Sequence, residues 1–207
     1  MALLDLVAAA DRIGIAAFAI SGVAVGFRAR MDVFGLLALG LVTAVGGGVI
    51  RDVVIGDVPR VFVADDYLLI AVVSSLVAIG AGAAGWKAPD AVMKAADAIG
   101  TGAFATAGAL IAWDANLNWV AAVILAVLTA TGGGVLRDVL ASNVPRVLRS
   151  EMNATGAVAG GALTFVLAEQ AIDVEWATAA GALLAAAVAA FGHTGLLRLP
   201  HLRSSDE

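Results

Sequence analysis

Apolar residues run along this chain in seven stretches, each ended by a short cluster of charged residues, proline or asparagine. They cover roughly 10–27, 33–57, 67–86, 97–113, 118–143, 153–169 and 175–194. A helix rising ~1.5 Å per residue needs about 20 apolar residues to cross the hydrocarbon core, so the pattern predicts seven transmembrane helices. The breaks are Arg28 to Asp32, Pro59-Arg60 to Asp65-Asp66, Trp86-Lys87 to Pro89-Asp90, Asp114 to Asn116, Pro145-Arg146 to Glu151, and Asp173 to Glu175. Trp86, Trp113, Trp119 and Trp176 all fall at span ends, where amphipathic rings mark a membrane–water interface.

The pattern is written twice. Residues 43–61 read TAVGGGVIRDVVIGDVPRV and residues 129–147 read TATGGGVLRDVLASNVPRV, identical at 13 of 19 positions with an offset of 86. Upstream, Ala10-Asp11 and Gly14 through Phe18 align with Ala96-Asp97 and Gly100 through Phe104. Repeat one covers about 10–86 and repeat two about 96–172, with a seventh helix at about 175–194 and a tail at 195–207. Three spans per unit is an odd number, so the second unit enters from the opposite side, which predicts an inverted repeat. The whole chain then forms one transmembrane domain.

Composition sharpens the class. Hydrophobic residues make up 61% of the chain, charged residues 14%, and mean hydropathy is +0.98. The 12 basic and 17 acidic residues are too few to cover a soluble protein with this much apolar surface. The formal charge of −5 matters less than where the basic residues lie. Loops on the N-terminal side hold Arg12 and Arg60, whereas the other side holds Arg28, Arg30, Lys87, Lys94, Arg146, Arg149, Arg198 and Arg203. The positive-inside rule puts the N-terminus outside and the C-terminal tail in the cytoplasm. There is no cysteine, which excludes disulfides and thiolate metal sites. The N-terminus has no basic segment before its apolar run, so no removable signal peptide is expected.

Candidate chemistry lies inside the spans. The triplets Gly46-Gly47-Gly48 and Gly132-Gly133-Gly134 fall near the middle of spans two and five. Each glycine costs roughly 1 kcal/mol relative to alanine in a helix, so both helices are expected to be broken there. A break at mid-membrane is tolerated only where it is buried in protein or lines a wet cavity. Arg51-Asp52 and Arg137-Asp138 follow, about five residues from the middle, or roughly 7 Å along a helix. Charges at such depth face a bundle interior or water. Neighbours on a helix do not face each other, so the expected partners are Asp11 for Arg51 and Asp97 for Arg137. Ser21, Thr43, Thr129 and Thr131 lie near the same level, with Thr101 and Thr106 in span four. Their hydroxyls offer oxygens to a passing cation or caps for freed backbone.

Other motifs are set aside. Gly80 to Gly85 fits G-x-G-x-x-G but closes a span instead of joining a strand to a helix. Asn153-Ala154-Thr155 fits a glycosylation acceptor on the predicted cytoplasmic side. His193 and His201 are too few and too near the inner face for a metal or hydrolytic centre, and no Ser–His or paired-carboxylate arrangement suggests an enzyme. Gly22 to Gly26 and Gly156 to Gly160 are G-x-x-x-G packing faces, for contacts within or between protomers.

Two Thr-Ala-x-Gly-Gly-Gly-Val-x-Arg-Asp segments in inverted three-helix repeats, followed by a seventh helix, resemble the trimeric intracellular cation (TRIC) channel family in its prokaryotic branch. The resemblance runs from Asp11 to about Arg198. It implies a homotrimer in which each protomer holds an hourglass pore for K⁺, with Na⁺ also passing, and no cofactor, tight metal site or nucleic-acid partner. Gly46, Gly47, Gly48 and Arg51 with Gly132, Gly133, Gly134 and Arg137 would then lie at the pore, its helices kinked at the triplets. Animal members carry a Lys-Glu-Val stretch in the second glycine region; this chain keeps Gly132-Gly133-Gly134, so their lipid-phosphate regulation is not carried over. Membrane lipid in a prokaryotic plasma membrane is the implied surrounding.

Two functions follow. In a passive channel, Arg51, Asp52, Arg137 and Asp138 flank a wet path, and the arginines raise the barrier to K⁺ unless carboxylates neutralise them. In a secondary transporter, the same repeat rocks about a midplane site for glycine or another small amino acid, whose carboxylate suits a guanidinium.

Overall fold

The computed structural model describes residues 3–86, 90–148 and 152–192. Lys87, Pro89, Arg149, Glu151, His193, Arg198, His201 and Arg203 lie outside them, as do the end of the seventh expected span and the tail at 195–207. Among the described residues the protein is all-α. Its helices are α1 (Leu3–Arg28), α2 (Val33–Ile55), α3 (Asp65–Ala83), α4 (Asp90–Asp114), α5 (Trp119–Leu140), α6 (Asn153–Glu169) and α7 (Val174–Gly192). Short 3-10 turns at Arg60–Phe62 and Arg146–Leu148 follow α2 and α5. By length and composition, α2, α3, α4, α5 and α7 can each cross a membrane. Helix α1 carries Asp5, Asp11 and Arg12 in its first half, and α6 has 17 residues.

The helices α1 and α4 begin about seven residues earlier than hydropathy indicates. In α1 the extension is held by packing: Val7 and Ala10 are buried in a cluster with Ala107, Leu110 and Ile111 of α4. Helix starts follow local chemistry. Asp32 accepts a hydrogen bond from the Gly35 N–H at 2.7 Å, and Asn118 accepts one from Ala121 at 3.0 Å. Each satisfies an N-terminal amide that the helix cannot.

The 86-residue offset recurs in these details. Asp32 and Asn118 are equivalent positions. All six described residues with positive φ also form such pairs: Arg30 with Asn116, Gly56 with Ser142, and Gly85 with Ala171. Gly56 and Gly85 adopt this left-handed backbone without a Cβ penalty, whereas Ser142 and Ala171 adopt it with one.

Helix α4 is the most enclosed, packing against α1, α5, α6 and α7, while α1 gathers α2 and α3. The core is built from small residues and two rings: Ala19, Ala44, Ala105, Ala109, Ala126 and Ala130 surround Phe18 and Phe104. Large apolar side chains such as Phe34, Leu69, Val77 and Leu183 lie on the outside. Small side chains inside and large ones outside suit helices that associate by close backbone approach in lipid. The G-x-x-x-G faces follow this rule within the chain. Gly22 meets Leu39, Gly40 and Thr43 of α2, while Gly156 and Gly160 meet Gly181 and Ala185 of α7.

The glycine triplets correct an expectation. Both α2 and α5 run through them as uninterrupted α-helix, with no break at Gly46–Gly48 or Gly132–Gly134. The physical reason is packing. At these positions α2 crosses α5, and a Cβ on Gly47 would collide with the Thr129 carbonyl oxygen, as one on Gly133 would with the Thr43 carbonyl oxygen. Since 43 meets 133 and 47 meets 129, equivalent helices run antiparallel at their contact. Keeping the helical hydrogen bonds and omitting side chains avoids exposing backbone groups that lipid cannot satisfy.

The three glycines of a triplet therefore differ. A Cβ on Gly46 or Gly132 would press on the flexible ends of Leu136 or Ile50 and lie 3.5 or 3.3 Å from the facing Gly133 or Gly47 Cα, and one on Gly48 or Gly134 lies 3.8 or 3.7 Å from the nearest Arg nitrogen. Gly47→Ala and Gly133→Ala should each destabilise the folded protein by about 1–3 kcal/mol through overpacking against backbone. Gly48→Ala and Gly134→Ala should be neutral or stabilising by up to ~1 kcal/mol through helix propensity. Thermal unfolding of the four variants in detergent reads the order; equal losses at all four positions would contradict the crossing.

Candidate functional site

Two clusters of charge lie on opposite sides of the glycine crossing. In the first, Arg51 of α2 donates from Nη1 and Nη2 to the two carboxylate oxygens of Asp11 in α1, at 2.8 and 3.0 Å. Its Nε donates to Asp52 at 2.8 Å. The other oxygen of Asp52 accepts the backbone N–H of Arg60 at 2.9 Å, which fixes the turn after Pro59. The Arg60 guanidinium stands 3.9 Å from Asp11, and the Tyr67 hydroxyl donates to Asp11 at 3.5 Å.

The second cluster repeats the first at the equivalent positions. Arg137 of α5 donates to Asp97 of α4 at 2.7 Å and, through Nε, to Asp138 at 2.8 Å. Asp138 accepts the Arg146 backbone N–H at 2.9 Å. Here the symmetry breaks. Arg146 donates directly to Asp97 at 2.8 Å, and Ser21 of α1 accepts from Arg137 and donates to Asp97, each at 2.6 Å. The equivalent of Ser21 is Ala107, and that of Tyr67 is Asn153.

Arg51, Arg137, Asp11, Asp52, Asp97 and Asp138 are all at most 3% exposed. Each cluster holds two arginines and two aspartates, so it is formally neutral. Bidentate guanidinium–carboxylate bonding offsets the desolvation that an isolated charge would suffer at this depth. The pairing of each Arg with the Asp beside it corrects the sequence reading that adjacent residues do not meet. The Cα–Cβ directions of such residues do diverge, but arginine's three methylenes let Nε swing back along its own helix.

Each cluster borders a small cavity. One, of about 10 Å³, is lined by Asp11, Ile15, Val45, Gly48, Arg51, Arg60, Tyr67 and Phe104 among others. The other, of about 20 Å³, is lined by Phe18, Asp97, Thr131, Gly134, Arg137, Arg146 and Asn153 among others. Each has room for about one water. Among the described residues no group of three or more His, Cys, Asp or Glu could hold a metal ion.

Comparison with known proteins places this arrangement. A family profile described as "Glycine transporter" matches residues 8–82 and again residues 94–169, one match per repeat. A UPF0126 membrane protein of Deinococcus radiodurans is 41% identical over 177 residues, covering 84% of this chain and 81% of its own. The inner membrane protein YadS of Escherichia coli is 41% identical over 152 residues, 73% of each chain. Among solved structures, a TRIC cation channel superposes with a TM-score of 0.86 at 33% identity, over 96% of this chain and 98% of its own. The TRIC trimeric intracellular cation channel orthologue from Rhodobacter sphaeroides superposes with a TM-score of 0.84 at 33% identity, over 92% and 98%.

The chain belongs to the prokaryotic TRIC family. One sequence family thus carries two descriptions, glycine transporter and cation channel; both are of membrane transport and neither is of catalysis. This TRIC homologue is a multi-pass membrane protein.

Its candidate residues divide by position. Asp11, Arg51 and Asp52 gather on one side of the crossing, and Ser21, Asp97, Arg137 and Asp138 on the other. Gly46, Gly47, Gly132 and Gly133 form the crossing itself, while Gly48 and Gly134 line the cavities. Thr131 lines the second cavity and donates to the Val127 carbonyl. Thr43 and Thr129 donate to Leu39 and Leu125 of their own helices at 2.6 Å, and Thr106 to Ala103. Thr101 is buried, and its hydroxyl finds no hydrogen-bond partner among the described residues.

In the sequence, Arg60 and Arg146 have a place only at span ends and in the charge asymmetry, and none of Tyr67, Phe18 and Phe104 is singled out for the site. The Pro-Arg of each repeat was the available signal for the first two. Asp97 takes Arg137, Arg146 and Ser21 within 2.8 Å, whereas Asp11 takes Arg51 alone at that range, with Arg60 farther off. Asp97→Asn should therefore destabilise the TRIC homologue more than Asp11→Asn, within the about 3–5 kcal/mol typical of breaking a buried pair. Unfolding of both variants in the same detergent measures this; the reverse order would contradict the asymmetry.

Proposed function

We propose that this protein is a monovalent cation channel, passing K⁺ and Na⁺ through a path of its own in each protomer of a homotrimer. In this reading the two cavities are the halves of an hourglass, and the α2–α5 crossing is its waist. The observation that carries it is the charge balance of the clusters. The arginines would repel a cation, but each has two carboxylate partners within 3.0 Å, so the path is lined by neutral, highly polar groups. Thr131 and the carboxylates offer oxygens on which a partly dehydrated ion rests. The likeness to TRIC cation channels over nearly the full length of both chains supports the same reading.

The antiparallel contact of α2 with α5 supports an axis lying in the membrane plane, as an inverted repeat requires. With that axis, and with basic residues gathered on the side of Arg28 and Arg146, the N-terminus lies outside and the cytoplasm borders the Asp97 cluster. The glycine triplets act as the place where α2 and α5 slide or bend relative to each other, since no side chain there resists the motion.

Transport of glycine is the second reading, favoured by the family description. Against it, cavities of about 10 and 20 Å³ hold one water each, and an amino acid with five heavy atoms needs several times that space. Purified protein in planar bilayers under a K⁺ gradient should give unitary current steps. Saturable counterflow of labelled glycine without such steps would replace the channel with a transporter.

A further inference from the structure

Between the two cavities stands a pair of aromatic rings that neither charge cluster uses. Phe18 of α1 and Phe104 of α4 are equivalent residues of the two repeats, 2% and 1% exposed. Their rings meet edge to face, with centroids 5.3 Å apart and planes at 75°. Each ring reaches across to the far half of the molecule. The helix α1 supplies Asp11 to the first cavity, yet its Phe18 lines the second; α4 supplies Asp97 to the second, yet its Phe104 lines the first.

The seats of the rings are also exchanged. Phe104 lies over Gly14 of α1, where a Cβ would stand 2.7 Å from the ring, and Phe18 lies over Gly100 of α4, which has no room for a Cβ either. Phe18 further touches the α2–α5 crossing, 3.2 Å from where a Cβ of Gly133 would stand. One ring pair therefore contacts both cavities and the helix crossing.

We propose that Phe18 and Phe104 form the apolar plug that closes the path, each ring held by a glycine of the other repeat. The inference rests on the channel reading for its purpose, but its geometry can be tested without conduction. A constriction lined by ring edges offers no oxygen to replace the hydration of an ion, and so narrow an apolar neck excludes water. In the edge-to-face pair the ring hydrogens of one phenyl cover a π face of the other, which takes that face away from a cation. A shift of α5 at Gly133 would remove one wall of the Phe18 seat, so motion of the crossing and release of the plug are a single event.

The chain has no cysteine, which allows a direct test. Val45 and Thr131 are equivalent residues lining the first and second cavities. Val45→Cys and Thr131→Cys are made separately, and silver ion, a small thiol-binding cation, is applied to one face of oriented membrane vesicles. Protection of the thiol from alkylation after denaturation is the readout. With the rings intact, silver should protect each thiol rapidly from one face only. Adding Phe18→Ala with Phe104→Ala should speed protection from the opposite face by about 3- to 10-fold, the range that the coupling of an aromatic pair corresponds to.

Unchanged cross-face rates in folded protein would overturn the proposal. So would equal access from both faces with the rings intact, or no access from either. If the alanine pair does not fold, Phe18→Leu with Phe104→Leu keeps the apolar volume and is judged by the same criterion. A wild-type protein that passes no K⁺ would remove the channel reading, while the silver rates would still decide whether the rings separate the two cavities.

Discussion

A guanidinium placed away from water must find carboxylates, and this single requirement organises the protein. Arg51 and Arg137 each bind an aspartate from the first helix of their repeat and the aspartate beside them in sequence. The neighbouring aspartate then holds the backbone of the next Pro-Arg turn, so one network joins three consecutive elements. Removing any member leaves a buried charge without its partner, which is why the Arg-Asp and Pro-Arg pairs travel together in both copies. Each cluster is a fixed block on one side of the molecule.

Between the blocks the contacts are of another kind. The helices α2 and α5 touch through glycine and backbone carbonyls, and α1 and α4 through two rings seated on glycines. The rings and the glycine crossing hold no side-chain hydrogen bond of their own, although Ser21 of α1 ties to Asp97 of α4 beside them. The rigid parts are thus the charged ones and the movable part is the apolar middle, an arrangement suited to a path that closes at its centre. The Asp97 cluster is the better tied of the two, because Ser21 and Arg146 add direct bonds to Asp97. Motion that opens the molecule should therefore begin on the Asp11 side.

Much of this was legible in the sequence. The doubled segment fixes the repeat, the apolar runs place the helices, and the demand that a buried arginine be paired points to Asp11 and Asp97. Three features were not legible, for physical reasons. Glycine propensity argues for a break at each triplet, but propensity is a weak force beside backbone hydrogen bonds in a dry interior, and the close crossing needs those glycines as helix. Helical spacing points Arg51 away from Asp52, but a long side chain does not stay where its Cα directs it. Phe18 and Phe104 stood unread because an aromatic within an apolar run carries no local sign of what it faces.

The helices α2 and α5 remain closed where they cross, so that the waist of the molecule is formed by contact between intact helices. Amide hydrogen exchange of the protein in lipid tests this most directly. The amides of Gly46–Gly48 and Gly132–Gly134 should exchange as slowly as those of the turns on either side. Fast exchange confined to the two triplets, with slow exchange around them, would show hydrated breaks in both helices and contradict it.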